Sequence, residues 1–159
     1  MRKKALLSAA LTATMLLAFN ALAQNGAHST LKGVPMTDPN VVVARNTEKA
    51  PVSDLYSQTV AFSHYNNLSA QLPIDPATGA IVAGGAAEQA EQCLKNIQAI
   101  VESIGHDMND IIRLSVYLAD IMDLNAVEKV QASFFPTYQP ARTVVAVDAL
   151  PQDALVFIE

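Results

Sequence analysis

Three arginines follow residue 23, and their settings differ. Arg45 lies near the start of the ordered pattern, and Arg113 falls on the polar side of an alternating segment. Arg142 sits in Pro140-Ala141-Arg142-Thr143, immediately before a strongly apolar run. A guanidinium held at the mouth of a sheet binds a carboxylate through two parallel hydrogen bonds. The same residue types suit a surface or inter-subunit ion pair, and on the residues alone that reading comes first. Other chemistries are poorly supplied. There is no G-x-S-x-G, H-E-x-x-H, Walker loop or C-x-x-C. His28, His64 and His106 are scattered without ligand spacing, so no metal site is expected. The single cysteine, Cys93, permits no intrachain disulfide and lies on or beside an apolar helical stripe, as packing rather than as a nucleophile. Gly84-Gly85 reads as a turn, and the pairs Asp107/Asp110 and Asp120/Asp123 as loop and cap residues.

These residues need elements to hold them, and the first 24 of the 159 residues supply none. Arg2-Lys3-Lys4, an uncharged apolar run and Ala21-Leu22-Ala23 make up a basic region, a hydrophobic region and a cleavage signal. This predicts a secretory signal over residues 1–23, cut after Ala23, with secretion into a bacterial periplasm and no stable membrane insertion afterwards. The apolar run is short for a spanning helix, which needs about 20 residues. Loss of Arg2, Lys3 and Lys4 lowers Lys plus Arg from 10 to 7 against 15 Asp plus Glu, and moves the net charge from −5 to −8. That sign repels phosphate backbones, and no basic stripe offsets it, so no nucleic-acid partner is expected.

Residues 24–40, rich in Gly, Pro, Ser and Asn, predict a flexible leader, and residues 41–159 a single domain. Val41-Val42-Val43 opens it. Strands are expected at 57–62 and 65–69 with a turn at Ser63-His64, and a loop at 73–79. Ala90, Cys93, Leu94, Ile97, Ile100, Val101 and Ile104 form one apolar stripe, so residues 86–104 should be a helix ended by Gly105. Residues 110–119 alternate, with Ile112, Leu114, Val116 and Leu118 toward a core. A second helix follows at about 124–135, with Asp123 or Asn125 as N-cap and Pro136 beyond its end, then strands at 143–149 and 154–158. The order predicts an α+β two-layer sandwich, a mixed six-stranded sheet with two helices on one face. Val144-Val145 and Val156-Phe157 are apolar on both sides of their strands, which predicts an oligomer covering the second face.

In order along the domain stand Tyr56-Ser57-Gln58, Leu68-Ser69-Ala70-Gln71-Leu72-Pro73, Asp75-Pro76-Ala77-Thr78-Gly79, Gln89 and Gln92 before Asn96, Asp120, Phe134-Phe135-Pro136, Pro140-Ala141-Arg142 and Leu150-Pro151. Each motif is weak singly; the ordered set resembles the Rid family (RidA/YjgF), formerly the L-PSP endoribonuclease family, from about Val41 to Glu159. The resemblance implies a chorismate-mutase-like fold (bacillus type) assembled as a homotrimeric barrel, with clefts between subunits. It implies hydrolysis of reactive enamines and imines, such as 2-aminoacrylate, 2-iminopropanoate and 2-iminobutanoate, to 2-keto acids and ammonia, with no metal and no organic cofactor. Arg142 would grip the carboxylate of a small substrate, and Tyr56 and Ser69 would line the cleft. An iminium carbon is already electrophilic, so such a site need only orient the substrate, place a water and move a proton.

The sequence departs from the family where the water is held. The family's V-E-I-E stretch reads Val156-Phe157-Ile158-Glu159, and Phe157 can neither accept a proton nor hold a water strongly. Glu159 matches the second Glu and shares a strand face with Phe157 about 7 Å away. Arg142 and Glu159 are therefore the catalytic candidates, with Tyr56, Ser69, Phe157 and Arg142 as the substrate-binding set. Asp54-Leu55 replaces Gly-Pro, Ala70 replaces Gly, and Glu128 and Gln131 stand where the family often has Asn and Tyr. Two readings follow: an imine deaminase with a remodelled water site, or a non-catalytic small-carboxylate-binding or chaperone-like protein on the same scaffold. Ribonuclease activity fits poorly with the charge of −8 and the lack of a His/Lys constellation.

Overall fold

The computed structural model describes residues 42–159. The predicted signal at 1–23, the predicted leader at 24–40 and Val41 lie outside the described residues. Strands β1 (Val42–Arg45), β2 (Thr59–Phe62) and β3 (Tyr65–Leu68) pair antiparallel in that order. The β2–β3 turn falls at Ser63-His64, where Ser63 takes φ 56° and Phe62 pairs with Tyr65. The stretch 73–79, expected to be loop alone, carries part of a small ribbon of β4 (Ile74–Asp75) and β5 (Ala80–Ile81). Asp75 accepts the Ala77 N–H at 2.9 Å, and Gly79 at φ 72° turns the chain back.

Helix α1 (Ala86–Ser103) follows the apolar stripe and buries Ala90, Cys93, Leu94, Ile97, Ile100 and Val101. The Glu88 carboxylate takes the Gly85 N–H at 2.9 Å and closes the first turn. Gly105, at φ 87°, lets the chain leave the helix. Then come β6 (Arg113–Leu118), α2 (Leu124–Phe134), β7 (Ala141–Ala146) and β8 (Val156–Ile158). In the second sheet β6 is central, parallel to β7 and antiparallel to β8.

Three strand bounds shift for visible reasons. Met108–Asp110 is a 3-10 turn capped by Asp107, so β6 begins at Arg113 rather than at residue 110. Ile112, expected in the core, is 74% exposed and precedes the strand, outside the alternation that buries Leu114, Val116 and Leu118. Ala141 and Arg142 pair with Arg113 and Leu114, which starts β7 two residues before the apolar run. Gln152 and Asp153 adopt φ 58° and 55°, and the resulting turn delays β8 to Val156.

The six strands expected in one sheet form two three-stranded sheets joined by a single pair. The Gln71 N–H donates to the Ile158 carbonyl at 2.7 Å, and the Ile158 N–H to the Gln71 carbonyl at 3.2 Å. The fold is α+β, with both helices packed against the face carrying Leu114, Val116, Leu118, Val156 and Ile158. The alternate residues Arg113, Ser115, Tyr117 and Phe157 point away from that core. Among the described residues no helix is long and apolar enough to cross a membrane.

Two buried polar groups carry predictions. Gln58, 1% exposed, accepts the Thr47 N–H at 2.6 Å and donates to the Thr47, Ala50 and Pro51 carbonyls at 3.0, 3.0 and 2.8 Å. Gln58→Ala strands these backbone groups and should cost about 3 kcal/mol in urea denaturation. Cys93 is fully buried, and desolvation pushes its thiol far above the ordinary range. Native protein should therefore resist a chromogenic thiol reagent and react only as it unfolds; stoichiometric labelling of the folded state would contradict this burial.

Candidate functional site

Arg142 is the second residue of β7 and pairs in parallel register with Leu114. Side chains in register share a face, so the guanidinium projects toward the helix layer. There it meets α2. Glu128 and Gln131, three residues apart, lie on one side of that helix. Nη2 of Arg142 donates to Oε1 of Glu128 at 2.5 Å, and Nη1 reaches Oε1 of Gln131 at 3.5 Å. Gln131 is buried, whereas the Arg142 and Glu128 side chains are 29% and 38% exposed. An ion pair this wet contributes on the order of 0–1 kcal/mol to stability. The guanidinium has five N–H donors, so these two contacts leave others for a ligand.

The other candidate residues lie elsewhere in the protomer. Phe157 pairs with Tyr117 on the opposite face of the same sheet, their ring centroids 6.0 Å apart. Glu159 is on that face too, its backbone doubly bonded to Ser115 at 2.7 and 2.9 Å. Ser69 precedes the bridge at Gln71, and its hydroxyl donates to the Ser57 carbonyl at 2.7 Å. Tyr56, 53% exposed, stands in the loop before β2. One chain thus keeps Arg142 apart from Phe157 and Glu159, with β6 between β7 and β8.

Several motif residues prove to be clamps. Gln89 accepts the Leu155 N–H at 2.7 Å. Asn96 donates to the Leu72 and Ile74 carbonyls at 3.1 and 2.9 Å and accepts from Gln92 at 2.9 Å. These side chains fix the connections around α1.

A cavity of about 680 Å³ opens between β3, the end of α1 and the start of β6, lined among others by Asn66, His106, Arg113, Ser115 and Glu159. Its chemistry is mostly used locally. His106 Nδ1 lies 3.0 Å from Asp110, and its Nε2 3.3 Å from the Asn66 amide. The Asp107 N–H, and then His106, hold the Asp110 carboxyl below the usual carboxylate range. The cavity is lined by Glu159 but not by Arg142, so this hollow and the Arg142 guanidinium do not coincide. Among the described residues no three His, Cys, Asp or Glu are arranged to hold a metal ion.

Glu128 and Gln131 are the partners that reading the sequence did not assign to Arg142. Their spacing puts both on one helix side, but only the angle at which α2 crosses β7 brings them to the guanidinium.

Residues 47–159 match the family model described as Endoribonuclease L-PSP. The chain is 42% identical over 114 residues to the RutC family protein PH0854 of Pyrococcus horikoshii, covering 71% of this chain and 90% of that protein. It is 38% identical over 115 residues to the human protein named 2-iminobutanoate/2-iminopropanoate deaminase, covering 72% and 84%. The fold matches a crystal structure of the Rid-family protein YyfA from Yersinia pestis, a protein of unknown function, with a TM-score of 0.73 and 34% identity over 75% of this chain and 96% of that one. The chain therefore belongs to the Endoribonuclease L-PSP family, the Rid proteins, whose members include imine deaminases.

Proposed function

We propose that this protein hydrolyses small enamine and imine acids, of the 2-aminoacrylate/2-iminopropanoate and 2-iminobutanoate class, to 2-keto acids and ammonia. The observation that carries the reading is Arg142: a guanidinium at a sheet edge, in contact with Glu128 and Gln131 yet still partly open. It offers the fork of donors that a 2-imino carboxylate needs, in a chain 38% identical to a protein named for that deamination.

The site is completed between subunits. The sheet faces turned away from the helices carry Val42, Phe62, Tyr65 and Val145, all substantially exposed. With Tyr117 and Phe157 they form surface better suited to another chain than to water. A homotrimer of chorismate-mutase-like subunits closes that surface. It also brings Arg142 of one subunit toward the Tyr56 and Ser69 loops of a neighbour. Residues 1–23 direct export to a periplasm, where the reaction needs no metal or organic cofactor.

One observation favours a second reading, carboxylate binding without turnover. Phe157 packs at a tilt against Tyr117 and offers no proton acceptor at the family's water position.

The two separate in a coupled assay that generates 2-iminobutanoate in situ. Wild type should release 2-oxobutanoate faster than the uncatalysed reaction, and Arg142→Ala should lose about 100-fold in kcat/KM through lost orientation. Calorimetric binding of 2-oxobutanoate without catalysed release would favour the second reading, and neither binding nor release would refute both. Sedimentation velocity should give the mass of three chains; a monomer would remove the inter-subunit site.

A further inference from the structure

Phe157 leaves the proposed reaction without its expected proton acceptor, and Glu159 lies with it on the face away from Arg142. A carboxylate does touch Arg142, and it comes from the helix layer. Resting on the deaminase reading above, we infer that Glu128 is the general base of this protein. It would take over, from α2, the water activation that residue 157 cannot perform.

The geometry supports this in three steps. Oε1 of Glu128 lies 2.5 Å from Nη2 of Arg142, and Gln131 steadies Nη1 from the same helix. A substrate carboxylate on the remaining donors of Arg142 places its C2 one bond beyond the carboxyl carbon. The reacting carbon then comes within one water of Glu128, the distance general-base catalysis requires. The ion pair is also partly solvated, with both side chains about a third exposed. A pair so hydrated is held weakly, so Arg142 can share its donors between Glu128 and a ligand. Among the described residues, no other carboxylate makes a salt bridge to Arg142.

The chemistry balances with water alone. The water oxygen bonds to the iminium carbon, the C=N electron pair moves to nitrogen, and Glu128 takes the water proton. That proton passes to the nitrogen of the carbinolamine. The C–N bond breaks as the hydroxyl oxygen forms the carbonyl, and ammonia carries off the last proton as ammonium.

The competing interpretation is that Glu128 merely neutralises Arg142 and excludes substrate. Glu128→Gln separates the two, since it keeps the shape and a hydrogen-bond acceptor for Arg142 but removes the base. In the 2-iminobutanoate assay its kcat should fall about 100-fold or more. Calorimetry should show 2-oxobutanoate bound at least as tightly as by wild type, with an unchanged thermal midpoint. Glu128→Ala should recover part of its rate with added formate. Glu128→Gln turning over at the wild-type rate or faster overturns this role while leaving the deaminase reading intact. Loss of 2-oxobutanoate binding alongside loss of rate also overturns it, because Glu128 would then only position Arg142. A wild type no faster than the uncatalysed reaction overturns the deaminase reading, and this role with it.

Discussion

Among the described residues two helices serve all the strands, and they can dry only one face of them. β6 and β8 settle which face by alternation. Leu114, Val116, Leu118, Val156 and Ile158 point to the helices, while Ser115, Tyr117 and Phe157 point away. A one-residue slip would exchange the two sets, so the register is strongly fixed. β7 inherits that register by pairing in parallel with β6, and Arg142 falls opposite Leu114. The same rule that buries the core therefore sends Arg142 toward α2 and Phe157 to the other side. The separation of these two residues within a protomer follows from the period of two, not from any feature of the site itself.

The sequence made periodic elements legible and aperiodic ones obscure. The stripe over 86–104 places α1 within one residue of its observed end, because seven apolar positions agree on one helix face. The turn at Ser63-His64 was readable because strands flank it closely on both sides. β4 and β5 have two residues each, too few to show a period. β7 begins on Ala141 and Arg142, whose types carry no strand signal; pairing with β6 decides their conformation. Ile112 fits the alternation of its neighbours and is still exposed, because the pattern does not say where the strand begins.

The motifs mix two kinds of residue that sequence alone does not separate. Gln58, Gln89 and Asn96 spend their amides on backbone groups of loops that would otherwise be unsatisfied. They lie beside Tyr56 and Ser69 in the family pattern, but their contacts are those of fold-forming clamps. Arg142 differs because its neighbours leave donors free and its tip reaches water. Its type and position before an apolar run were readable in the sequence. Its contact with Glu128, fourteen positions earlier, depends on a helix crossing angle and was not.

The carboxylate beside Arg142 bears on what such a site gains from it. An arginine flanked only by neutral groups holds substrate and keto-acid product with similar strength, since both carry the carboxylate. Such uniform binding lowers KM without raising kcat. A negative charge at Glu128 weakens both complexes alike, so as a bystander it would cost affinity and return nothing. It helps the chemical step only through an interaction that grows in the transition state. Accepting a proton from the attacking water is such an interaction, since the water becomes acidic only as its oxygen bonds to carbon. If Arg142 binds the substrate carboxylate as proposed, a carboxylate in contact with its guanidinium is better accounted for by proton transfer than by charge balance.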